Sequence, residues 1–192
     1  MKEEKLILVS SLVLRETLAL SRPRLNIKRL AENAGVSRAW IYKYFGPDED
    51  RVILTAVDLL APQLTELSSP LEKVQTPKQW AKHFLKSVHK TLEESEQYPE
   101  LFHFYFHCQM YPSVYGERLR HHLDLFLGQR FVPQVMKVFG MSRSEAVSFS
   151  NLLWSTRVGV VLSWMGEPEK TPANRLKVVE GLKRGIFDRL RE

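Results

Sequence analysis

The residues best suited to chemistry fall between Asn26 and Phe45, where Arg38, Trp40, Lys43 and Tyr44 share the outward side of a short expected helix and Tyr42 lies near its edge. Arginine and lysine reach base edges or phosphates, a tyrosine hydroxyl donates to phosphate, and an indole offers apolar contact to a thymine methyl. Together these side chains are suited to reading a DNA major groove. Lys28 stands near the start of the preceding helix, where free backbone N–H groups and the helix dipole also favour phosphate.

Local signals set these residues on two helices. Asn26 is a good N-cap for the first, whose inward face is Ile27, Leu30, Ala31 and Ala34. Gly35 then lets the chain leave the helix through a left-handed residue without a Cβ penalty. Ser37 caps the second helix, with Ile41 and Phe45 turned inward. A small residue at Ala31 lets the helices cross closely, so a tight helix-turn-helix is expected from Ile27 to Tyr44. An alanine and a glycine four residues apart recur in many helical hairpins, so the weight rests on the two caps and on charge. Residues 1–47 hold nine Lys or Arg against four Glu, which is nearly all of the chain's net charge of +6. A polyanion would bind in that quarter.

The whole chain reads as helical, with apolar residues recurring at spacings of three and four and no strictly alternating run. Breakers leave about nine helices, near 3–20, 26–34, 37–45, 48–67, 76–96, 99–109, 113–139, 142–165 and 172–190. The expected class is therefore all-α. With 192 residues and 44% hydrophobic content, the chain can bury a substantial core. The lone cysteine, Cys108, fits a reducing, cytoplasmic setting. The apolar run Leu6–Leu14 has mixed charges at its flanks and no small-residue cleavage site after it, so it does not read as a signal peptide. No apolar stretch approaches the roughly 20 residues that a membrane span needs.

At Leu30-Ala31, Ala34-Gly35-Val36-Ser37, Ile41-Tyr42 and Tyr44-Phe45 the chain resembles the DNA-binding signature of the TetR family of transcriptional regulators. The resemblance covers the first quarter. It implies a three-helix helix-turn-helix DNA-binding domain over 1–47 and a larger helical domain over 48–192 that binds an effector and dimerises. It further implies that Lys28, Ser37, Arg38, Trp40, Tyr42, Lys43 and Tyr44 face DNA, with Asn26 and Ala39 on the same surface. Two positions depart from the pattern: Ala39 stands where glycine is common, and Asp48 stands near a usual phosphate-touching lysine. Pro47 followed by Asp48, Glu49 and Asp50 makes a good helix start but would repel phosphate, leaving Arg51 as the alternative contact.

By the same resemblance the aromatic-rich middle of the chain would enclose a cavity for a mainly apolar effector, with Trp80, Phe84, Phe102, Tyr105, Phe106, Phe126 and Trp154 as candidate linings. Taken singly, each of these rings reads more readily as core than as pocket lining. Pro62, Gly128 and Pro133 interrupt helical segments and either open space between helices or mark helix ends. The last two helices would pair with their two-fold mates through Arg157, Val158, Val161, Leu162, Met165, Leu176, Val179 and Ile186, with Gly159 permitting close approach. Arg157 would pair with an acid across the dimer or meet a ligand carboxylate. His103 and His107, spaced i, i+4 beside Cys108, read as a satisfied or solvent-facing pair, and neither metal nor cofactor is expected.

The expected protein is thus an operator-binding homodimer, more often a repressor than an activator, released by a small molecule. The rivals are a helical protein-interaction module and an enzyme with an accessory DNA-binding head. The second is disfavoured because no nucleophile elbow, phosphate loop, zincin motif or carboxylate constellation occurs.

Overall fold

A computed structural model describes residues 2–19, 25–65 and 74–187. It contains α1 (Lys2–Ala19), α2 (Ile27–Ala34), α3 (Arg38–Phe45), α4 (Glu49–Thr65), α5 (Pro77–Gln97), α6 (Pro99–Met110), α7 (Val114–Phe126), α8 (Val132–Phe139), α9 (Arg143–Met165) and α10 (Pro172–Leu182). There is no strand among the described residues. The all-α class holds. The expected helical positions 20, 66–67 and 188–190 lie outside the described residues.

The stretch expected as one helix over 113–139 is helical from 114 to 139, but a π-helical turn, Leu127–Phe131, separates α7 from α8. Pro133 explains it: proline donates no backbone hydrogen bond, and its ring collides with the carbonyl four residues back. The chain accommodates this with a wider turn, in which Val132 N–H bonds to the Leu127 carbonyl. A second π turn, Lys183–Phe187, follows α10.

The chain forms two compact units, Met1–Leu64 with Tyr98–Asp124, and Thr65–Gln97 with Leu125–Glu192. In the first, α1 packs on α2 and α6, and α2 packs on α3. Its core includes Val9, Val13, Leu14, Leu30, Ile41, Phe45, Ile53, Leu60, Phe104 and Leu119. Each large aliphatic side chain fully withdrawn from water there contributes about 1.5–3 kcal/mol.

In the second unit α5 packs against α8, α9 and α10. Trp80 is fully buried at its centre, stacked on Phe84 at 5.4 Å and meeting Phe131 and Phe139 edge-on at 5.5 and 5.4 Å. Such ring pairs add about 0.5–1.5 kcal/mol beyond their area. Ser142 and Glu145 form a reciprocal capping box at the start of α9. Arg175 on α10 pairs with Glu93 of α5 at 2.6 Å, and Trp164 Nε1 on α9 donates to Glu96 at 3.0 Å, so α5 is tied to both α9 and α10.

Candidate nucleic-acid interface

The α2–α3 pair is built by its caps. The Asn26 side chain accepts from Arg29 N–H at 3.0 Å, and the Ser37 hydroxyl accepts from Trp40 N–H at 3.1 Å. Between them Gly35 takes φ 61° in the left-handed region, and Val36 N–H returns to the Ala31 carbonyl at 3.0 Å. Leu30, Ala31, Ala34, Ile41 and Phe45 are buried, so both inward faces are those expected from the sequence, while Ile27 is half-buried.

Two cross-links hold this pair to its neighbours. Arg29 Nε donates to Glu16 Oε1 of α1 at 3.1 Å, which raises the arginine's pKa, chiefly through that hydrogen bond and the facing charge. The Thr55 hydroxyl of α4 donates to the Phe45 carbonyl at 2.8 Å, satisfying an acceptor that the end of α3 leaves open. At the start of α4 the Asp48 carboxylate accepts from Arg51 N–H at 2.8 Å, and Tyr115 donates to Asp50 at 2.5 Å. The acidic turn at 48–50 is therefore engaged in capping and anchoring.

The outward side of α3 consists of Arg38, Ala39, Tyr42 and Lys43, all exposed, with Tyr42 at 44%. Trp40 and Tyr44 are half-buried, and this differs from the sequence expectation, which put both on the outer face and Tyr42 at its edge. The reason is that the two large rings, one helical turn apart, pack against each other in a tilted arrangement with centroids 4.8 Å apart, and Trp40 also lies 6.2 Å from Phe45. Lys2 of α1 lies over the Tyr44 ring at 4.7 Å and Lys43 at 5.4 Å, a cation–π cluster that no local sequence signal announced. Lys28, Asn26 and Ser37 are exposed beside this face. Among the described residues, Lys28, Arg38 and Lys43 pair with no carboxylate, so their charges remain available to an external anion.

The candidate effector rings do not gather in one place. Phe102 and Tyr105 are buried and Phe106 is half-buried in the first unit, on α6. Trp80 and Phe84 fill the core of the second unit, where Phe126 packs against Phe131 at 6.0 Å and Trp154 at 6.3 Å.

Of the candidate dimer residues, Arg157 and Val161 are buried inside the second unit and present no surface, while Val158, Met165 and Val179 are half-buried. Leu162 and Leu176 are 55% and 57% exposed, and Leu152, in the apolar run of the same helix as Leu162, is exposed on α9 as well. The side chain of Ile186 lies outside the described residues. His103 and His107 are exposed, and among the described residues no group of three or more His, Cys, Asp or Glu could hold a metal. Burial pushes the Cys108 thiol up to about 11, so at neutral pH it is protonated and a poor nucleophile.

One further cluster carried no signal in the sequence: Asp58 of α4 accepts from Arg118 at 2.6 Å and lies 2.7 Å from His122 Nε2. It ties α4 to α7 across about sixty positions of sequence. Compared with known proteins, the chain matches no family model and no curated protein. Among the described residues no helix is long and apolar enough to cross a membrane.

Proposed function

We propose that this chain is an operator-binding transcription regulator of the TetR type. It acts as a cytoplasmic homodimer on double-stranded DNA, more often repressing than activating, and a small molecule weakens its grip. The observation that carries the reading is the outer side of α3: Arg38, Tyr42 and Lys43 stand exposed, the two cations without a carboxylate partner among the described residues, on a helix whose start, end and depth are fixed by caps and buried apolar residues. Rigid presentation matters because base reading depends on placing a few side chains in one groove, while nearby cations hold the phosphates. The protein-interaction module and the enzyme with an accessory head remain the rivals.

Selection from random-sequence duplexes tests the reading. A dimer presenting two copies of α3 should enrich a near-palindrome with half-sites one helical turn apart, about 34–36 Å, or somewhat more. Sedimentation at micromolar concentration should give about twice the 22.4 kDa chain mass. No enriched sequence, or a monomer bound to an asymmetric site, would reject it.

A further inference from the structure

The second unit contains a cleft of about 980 Å³ bounded by α5, the α8–α9 connection and α10. Its floor is apolar and half-buried, built from Ala81, Leu85, Phe139, Phe149 and Val179, with Phe187 buried beneath. One rim is basic. Lys78, Lys82 and Lys86 recur every fourth residue along α5, which places them on one ridge, and Lys183 lines the cleft from beyond α10. The one acid in the lining, Glu180, is already engaged with Lys183 at 3.3 Å. Lys78, Lys82 and Lys86 pair with no carboxylate among the described residues. At the end of the ridge His89 has a buried Nδ1 without a hydrogen-bond partner among the described residues.

We propose that this cleft binds an amphiphilic monoanion, with its hydrocarbon or aryl body on the phenylalanine-lined floor and its carboxylate among the α5 lysines. The volume lies within the range of small-molecule sites, and such sites combine a mostly apolar lining with a few polar groups that fix orientation. Charge complementarity selects the sign of the head group, since three uncompensated ammonium groups share the rim. The binding stands independently of the DNA reading. Its consequence, that the anion is the effector, rests on that reading.

Calorimetry on the full chain tests this with decanoate, decanol and decyltrimethylammonium, all below their aggregation thresholds. Decanoate should bind one per chain, at least about tenfold more tightly than decanol, with no binding of the cation. The double variant Lys82→Glu/Lys86→Glu alters exposed side chains only. It should keep the wild-type melting midpoint and lose at least about tenfold in decanoate affinity. Equal binding of decanoate by the variant, equal binding of decanol or the cation, or attachment to anionic vesicles without binding monomeric decanoate would each overturn the proposal. Repeating the titration with a selected operator duplex separates the two readings. If decanoate lowers operator affinity, the operator must lower decanoate affinity by the same factor. If decanoate binds and operator affinity does not change, the site stands and its effector role falls. If no duplex is ever enriched, the regulator reading falls and the calorimetry alone judges the cleft.

Discussion

Arg157 donates from Nη2 to the Thr91 hydroxyl at 2.5 Å, joining α9 to α5 at a position where the arginine is only 4% exposed and no carboxylate faces it among the described residues. The Thr91 hydroxyl in turn donates to the Ser87 carbonyl at 2.8 Å, which leaves its lone pairs free for the guanidinium, and the Trp154 ring lies 5.4 Å from the cation. Burial pulls the arginine down to about 10. A cation held this way costs folding energy that one hydroxyl and one ring do not fully offset.

Arg157→Met should therefore leave stability unchanged or raise it by about 1–4 kcal/mol, because a similar volume is kept and the buried charge is removed. Thr91→Val should destabilise by about 1–3 kcal/mol, since the guanidinium loses its acceptor. The double variant should recover to at least the wild-type level. Urea denaturation of the three variants checks the cycle, and a stable Thr91→Val protein would refute it.

Two glycines at the ends of α2 and α3 should respond unequally to alanine. Gly35 has φ 61° with open space where a Cβ would stand, so Gly35→Ala bears only the left-handed backbone cost, about 1–2 kcal/mol. Gly46 has φ 123°, where an added Cβ would stand 2.6 Å from Arg51 Cβ, so Gly46→Ala combines strain with a clash and should cost about 2–3 kcal/mol or more. Equal denaturation midpoints for the two variants would contradict this ranking.

Asp58 gives stability a pH dependence with a defined sign. Burial pushes its carboxyl up, but hydrogen bonds from Arg118 and His122, together with their charges, hold it below the usual value. An acid depressed in the folded state stabilises fully above its unfolded value of about 3.9, and that contribution is lost as pH falls through the folded value. The cluster is partly exposed, so its worth is about 0.5–1 kcal/mol. Wild type should exceed Asp58→Asn by that margin at pH 6; the gap should begin to close only below about pH 4 and vanish once pH has fallen through the folded value. A gap that persists at low pH would mean Asp58 acts through packing.

The α2–α3 pair was legible in the sequence because Asn26, Gly35 and Ser37 act within about four residues of themselves, and helical period alone places Leu30 and Ile41 inward. The long-range relations were not. Glu16 meets Arg29, and Asp58 meets Arg118, only because α1 lies on α2 and α4 is tied to α7. The aromatic-rich middle suggested one lined cavity, yet hydrophobicity does not say which core a ring joins, and Phe102 and Trp80 belong to different units. Lys78, Lys82 and Lys86 carried no signal in the sequence, because nothing local shows that a cleft lies beside them.

The most direct test of the central claim is the salt dependence of DNA binding for wild type, Arg38→Ala and Lys43→Ala, each checked for an unchanged melting midpoint. DNA binding should weaken steeply and linearly in log–log form as salt rises, because displaced counterions drive it. A variant that loses a phosphate contact should show a slope smaller by about one, and one that loses a base contact should cost about 1–3 kcal/mol at a single operator position. A flat salt response, or wild-type affinity in both variants, would show that the exposed side of α3 does not read DNA.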